Sequence, residues 1–221
     1  RRQRQMCIRD SSGSMDERDM QISGHALMRI DVVKQVLSQF IEQRAGDRLG
    51  LILFADNAYL QAPLTYDTDA VNTLLQEAQL GFAGQQTAIG DAIGLAIKRL
   101  VERPAESRTL ILLTDGANNA GNVEPLEAAK LAAENDITIH TIGIGADRMV
   151  TRGFWGRQVV NPSRNLDEQS LRDIASQTGG QYFRAKNTDE LANIYQTLDE
   201  IEPVDHCLLY TSPSPRDLYR S

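Results

Sequence analysis

Short, unbroken apolar runs separated by stretches of helical periodicity constrain this chain more than any other feature. Residues 49–55 (Leu-Gly-Leu-Ile-Leu-Phe-Ala) and 109–113 (Thr-Leu-Ile-Leu-Leu) have the form of strands covered on both faces. Between and around them the period changes. Ile30, Val33, Val36, Leu37, Phe40 and Ile41 recur at helical spacing, and Gly46 follows where such a helix would stop. Further helices are expected over 69–79, 87–102, 125–135, 166–178 and 189–201, with Pro125 at a first turn, where a missing N–H costs nothing. Strands are expected over 137–144 and 181–185, and residues 58–63 read as an edge strand because Pro63 cannot donate inside a sheet. Strands joined through helices of this length predict an α/β fold. Its central sheet is doubly wound and mostly parallel, with helices on both faces and one antiparallel edge strand.

The two ends break the rhythm. Arg1–Gln5 is polar and basic, which leaves only Met6–Ile8 for a first strand, and Thr211-Ser-Pro-Ser-Pro-Arg216 has the composition of a disordered tail. Residues 1–9 are therefore expected to be a non-native or poorly ordered lead, 10–204 the domain, and 205–221 a non-native or disordered tail.

In open parallel sheets ligands gather at the carboxyl ends of the strands. The polar residues expected there are Asp10-Ser11-Ser12-Gly13-Ser14 after the first strand and Thr114-Asp115-Gly116 after 109–113. Between them in sequence lies the loop that carries Thr87 and opens a helix. Asp10, Ser12, Ser14, Thr87 and Asp115 together supply two carboxylates and three hydroxyls, all hard oxygen donors of the kind magnesium takes. Hydroxyls leave the ion under-neutralised, so it keeps an appetite for an anion from outside.

This three-part pattern resembles the metal-ion-dependent adhesion site (MIDAS) of the von Willebrand factor A (vWA) family: DxSxS, then a Thr, then an Asp. The resemblance implies that Ser12, Ser14 and Thr87 approach the ion directly while Asp10 and Asp115 act largely through bound water. It extends over about residues 11–204. Its details, among them Gly46-Asp47-Arg48, Thr87-Ala-Ile-Gly-Asp91 and Thr178-Gly-Gly-Gln-Tyr-Phe-Arg184, are most similar to the bacterial aerotolerance-type (BatA-like) proteins. What that implies is a protein-binding module of an envelope-associated complex, loaded with Mg2+ (or Mn2+ or Ca2+). The partner would supply an Asp or Glu carboxylate; other vWA proteins and an AAA-type ATPase are candidate associates. Such proteins are anchored at the bacterial inner membrane by helices flanking the domain. Neither anchor is read in this stretch, which holds no apolar run of the ~18 residues needed to span a bilayer.

Other classes fit less well. A net charge of −7 argues against a broad nucleic-acid face. Cys7 and Cys207 belong to no zinc-type cluster. A magnesium-dependent phosphotransfer enzyme would want a second acid where Ser12 stands, or a GxxxxGK[ST] loop, and neither occurs. A scaffold whose metal only stabilises the fold is the remaining alternative. Asp16, Glu17 and Asp19 read as a solvated acidic loop close enough to the site to tune its charge, His25 and His140 as solvated or satisfied side chains, and Asn118 and Asn119 as a turn, with lining the site as the alternative. Asp91 reads as capping or pairing within its helix, with support of the metal ligands from behind as the alternative. Trp155 lies in a long loop, either a hairpin or an interface anchor near the metal.

Overall fold

The computed structural model describes residues 3–11, 13–22, 25–78, 86–102, 107–147, 149–153 and 156–202. The chain opens with β1 (Gln3–Asp10), a short 3-10 turn (Gly13–Asp16), a small hairpin of β2 (Met20–Ile22) and β3 (His25–Leu27), and α1 (Arg29–Gln43). Next come β4 (Arg48–Phe54), β5 (Ala58–Thr65), α2 (Thr68–Glu77), α3 (Ile89–Val101) and β6 (Ser107–Thr114). The remainder is α4 (Pro125–Glu134), β7 (Thr138–Ile144), a second hairpin of β8 (Met149–Gly153) and β9 (Gly156–Val160), α5 (Glu168–Gln177), β10 (Tyr182–Ala185) and α6 (Thr188–Ile201).

Six strands form one sheet in the order β10-β7-β6-β1-β4-β5, parallel throughout except that β5 runs antiparallel to β4 at the edge. Pro63 sits in that edge strand, as its missing N–H requires. The apolar runs are buried on both faces, as their composition predicts. Cys7, Leu51, Leu53, Ile111, Leu113 and Ile142 pack on one face against α1, α2 and α6. Met6, Ile8, Ile52, Leu110, Leu112 and Ile139 pack on the other against α3, α4 and α5. Three helix starts are held by side-chain caps: Asp67 accepts from Ala70 N (2.9 Å), Asp167 from Ser170 N (3.0 Å) and Asn187 from Glu190 N (2.8 Å).

The lead differs from expectation. Gln3–Asp10 forms the central strand, with β4 on one side and β6 on the other, rather than a poorly ordered preface to a Met6–Ile8 strand. The backbone of a strand flanked on both sides is satisfied whatever its side chains are, so polar residues can enter it. The cost falls on Arg9, whose side chain is buried. None of its three guanidinium nitrogens has a hydrogen-bond partner among the described residues. Burial accordingly pulls its pKa down to about 10, with the nearby Asp10 acting the other way. The expected tail, 205–221, lies outside the described residues.

Candidate metal centre

The sheet changes winding direction between its two middle strands. From β1 the chain moves through α1 to β4 on one side; later it returns to place β6 on the other. The crevice at the carboxyl ends of β1 and β6 is therefore the topological switch point, the place where ligands of open α/β sheets collect. Asp10 is the last residue of β1 and Thr114 the last of β6. The Thr114 hydroxyl donates to Asp10 Oδ2 at 2.6 Å, and both side chains are fully buried.

The turn after β1 is fastened at its start, where Ser11 donates its N–H and its hydroxyl to the Phe54 carbonyl at 2.9 and 3.0 Å. It then delivers Ser14, whose hydroxyl donates to Asp115 Oδ1 at 2.6 Å. Thr87 arrives from a third direction. Its backbone N–H donates to Asn119 Oδ1 at 2.7 Å, and its carbonyl accepts from Asn119 N at 3.0 Å. Its hydroxyl has no hydrogen-bond partner among the described residues, and a Cβ added at Gly116, next to Asp115, would lie 3.3 Å from it. Glycine at 116 thus keeps the space beside the Thr87 hydroxyl open. Asp10, Ser14, Thr87 and Asp115 are brought to one end of the sheet; Ser12 lies outside the described residues.

Several residues that the sequence left as turns or solvated groups hold this arrangement. Asn118 Oδ1 accepts from Ile89 N at 2.8 Å, so the two asparagines clamp the loop that carries Thr87 onto the start of α3. Asp91 accepts from Asn122 N and Val123 N, both at 2.9 Å, and so ties the loop after β6 to α3 instead of pairing within its own helix. Gly90 permits that approach, because any side chain there would run into the Val123 carbonyl.

The largest departure concerns Asp19 and Arg29. Asp16 and Glu17 are exposed as expected, but the Asp19 carboxylate is buried and paired. Arg29, the first residue of α1, donates from Nε to Asp19 Oδ1 (2.8 Å), from Nη2 to Asp19 Oδ2 (2.6 Å) and from Nη1 to Asp115 Oδ2 (2.6 Å). Asp19 Oδ2 also accepts from Ala146 N at 2.8 Å. Burial alone would lower the Arg29 pKa, but the two carboxylates more than reverse it, and the guanidinium stays charged. Burial raises the Asp115 carboxyl, opposed by the hydrogen bonds from Ser14 and Arg29 and by the arginine's charge. Nothing in composition or periodicity marks Arg29, because an arginine at a helix start is ordinarily solvated.

His140 is a satisfied core residue, its Nδ1 accepting from Gln181 N at 3.2 Å. The 152–157 loop is a hairpin, β8 with β9, but Phe154 and Trp155 and the side chains around them lie outside the described residues.

The donor set suits a hard divalent cation. It holds only oxygen, and it combines two carboxylates with hydroxyls. Ser14 gives its hydroxyl proton to Asp115, which leaves its oxygen to act toward a cation only as a lone-pair donor. Among the described residues no three His, Cys, Asp or Glu side chains are grouped to hold a metal without hydroxyl help.

Comparison with known proteins identifies the fold and the family. A UPF0353 protein of Mycolicibacterium paratuberculosis is 30% identical over 212 residues, covering 87% of this chain and 58% of that protein. The chain spans 47% to 61% of the length of such curated relatives. An aerotolerance-related membrane protein from Bacteroides fragilis is 25% identical with a TM-score of 0.71, over 90% of this chain and 97% of that one. Proximal thread matrix protein 1 of the mussel byssus, in a structure with a zinc-occupied MIDAS motif, shares the fold at 20% identity and a TM-score of 0.70. That match covers 91% of this chain and 46% of the mussel protein. Among the described residues no helix is long and apolar enough to cross a membrane. The model of the von Willebrand factor type A domain matches residues 6–197, and the chain belongs to that family.

Proposed function

We propose that this domain is a divalent-cation-dependent protein-binding module rather than an enzyme. Its cation is held by Asp10, Ser12, Ser14, Thr87 and Asp115 and presented to an Asp or Glu carboxylate of a partner protein. The observation that carries the reading is the 2.6 Å hydrogen bond from Ser14 to Asp115, which joins the first and last parts of the motif across 101 residues of chain. Once bound, the cation supplies an open coordination position for the partner's carboxylate.

The chain's own residues prepare that position. Thr114 anchors one oxygen of Asp10, which keeps the carboxylate directed along the strand end. Asp115 accepts from Ser14 and Arg29 and so acts as an organiser of ligands more than as a full counter-charge. Asn118 and Asn119 hold the Thr87 loop from behind. Mg2+ is the expected occupant, with Mn2+ or Ca2+ as substitutes; the zinc found in the MIDAS motif of the mussel protein supports a divalent ion in this type of site. Likeness to an aerotolerance-related membrane protein supports work at the bacterial envelope, with other vWA proteins or an AAA-type ATPase as candidate associates.

The test combines metal titration with partner capture. Calorimetry should detect one divalent site that Asp115→Ala abolishes while circular dichroism shows the fold retained. Capture of a carboxylate-bearing partner should require Mg2+ and fail with chelator. A wild-type protein that binds no divalent cation, or binds one undiminished in Asp115→Ala, overturns the reading.

A further inference from the structure

Resting on the metal-binding reading above, we propose that Arg29 sets the affinity of the site: it governs how tightly the cation is held and how much of its charge is left for the partner's carboxylate. Arg29 and Asp19 form a buried ion pair, side chains 1% and 0% exposed, whose positive end lies on Asp115. Asp115 divides its two oxygens between Ser14 and this guanidinium, each at 2.6 Å. A carboxylate shared in this way neutralises a neighbouring cation less than a free one would.

The arrangement has a prepared seat. Gly145 has φ +131°, and a Cβ there would collide with Ser163 Oγ and stand 2.8 Å from Arg29 Nη2 and 2.9 Å from its Cζ. The end of β7 is therefore cleared of side chain where the guanidinium rests. Ala146, the next residue, donates its N–H to Asp19 and holds the far carboxylate in place.

Charge counting gives the direction of each effect. Among these four side chains, Asp10, Asp115 and Asp19 carry three negative charges and Arg29 one positive, a net of −2 opposite a divalent ion; the charge of Arg9 near Asp10 is common to every variant. Removing the arginine's charge leaves −3, so the cation binds more tightly and is over-neutralised toward an incoming carboxylate. Removing the charge of Asp19 leaves −1, with both effects reversed. Removing both restores −2. In a buried site screening is weak, so a single unit charge changes affinity by about tenfold or more. A merely structural staple makes a different forecast: every variant loosens the loop and weakens cation binding.

The experiment titrates Mn2+, followed by its paramagnetic resonance signal, into the wild type and into Arg29→Gln, Asp19→Asn and the double variant. Acetate binding to the Mn2+-loaded forms is measured alongside. Arg29→Gln should bind Mn2+ about tenfold more tightly and acetate more weakly, and Asp19→Asn should do the opposite. The double variant should return close to wild type, and it decides the matter with Asp19→Asn if Arg29→Gln alone does not fold. Weaker Mn2+ binding in all three variants, or no change in any, overturns the proposal and leaves the metal site standing. Absence of Mn2+ binding in the wild type overturns both.

Discussion

Three arginines, Arg9, Arg29 and Arg44, are fully buried, and the surroundings of the first two could hardly differ more. Arg29 meets two carboxylates through three of its nitrogens, in a space from which Gly145 withholds a side chain. Arg9 lies on the central strand, on the face that carries Cys7, with no partner for any nitrogen among the described residues. Lys34, a second cation, is close enough for Arg9 to lower its pKa, after burial as the larger cause. The difference shows that burial alone says little about the purpose of a charged group. A paired guanidinium is tied to the geometry around it, whereas an unpaired one is tolerated because a core packed on both sheet faces absorbs the loss. Each fully buried Leu or Ile contributes about 1.5–3 kcal/mol, and many of them make up the core on the sheet face that carries Cys7. Arg9 belongs to the lead that the sequence sets apart from the domain, and it is the residue of that lead that matches its position least.

The comparison can be broken most forcefully at Arg29. Arg29→Met in the metal-free protein strands two buried carboxylates and should lower stability by about 3–5 kcal/mol in urea unfolding. A loss under 1 kcal/mol would place Arg29 in the same class as Arg9. The opposite sign is expected for Arg9→Leu. A guanidinium pKa pulled well below its ordinary value, to about 10, corresponds to about 3 kcal/mol lost at neutral pH. Replacing the guanidinium should recover an amount of that order and raise Tm by about 5 °C or more. Because the folded pKa lies below the unfolded one, the penalty is complete below about pH 10 and fades as pH rises from there toward the ordinary arginine range. If Arg9→Leu is destabilising, the guanidinium has a partner after all.

A smaller effect comes from Asn119→Ala. It removes the acceptor of the Thr87 N–H and should cost about 1–2 kcal/mol, together with a measurable loss of Mg2+ affinity. The smallest expected signal sharpens the account of the Arg9 face itself. Burial pushes the Cys7 thiol up to about 12, so peptide mapping should find Cys7 unmodified after iodoacetamide treatment of the native protein at pH 8, and modified once it is unfolded. Rapid native labelling would mean that water reaches this face and that Arg9 is hydrated.

How far the sequence could be read follows from what each feature depends on. Unbroken apolar runs report two-sided burial directly, and so β4, β6 and the parallel sheet were legible. Pro63 marked the edge for the same local reason. The motif residues were legible because their types and order restrict the chemistry to hard oxygen donors. The roles of Asn118, Asn119 and Asp91 were hidden, since a polar residue in a loop reads as solvated until its backbone partner is known. Asp19 was hidden similarly: it looked like a member of an acidic loop, but its neighbours in space, Arg29 and Ala146, lie 10 and 127 residues away in the chain.

Local pattern by itself therefore determined the fold class and the list of oxygen donors, because periodicity and residue type are properties of a few neighbouring positions. Only the tertiary structure decided which charges face one another. It carried the polar lead into the middle of the sheet, left the Arg9 guanidinium without a hydrogen-bond partner among the described residues, and set Arg29 between Asp19 and Asp115. Electrostatic pairing in a buried site depends on separations of a few ångströms between residues distant in sequence, and those separations exist only once the chain has folded.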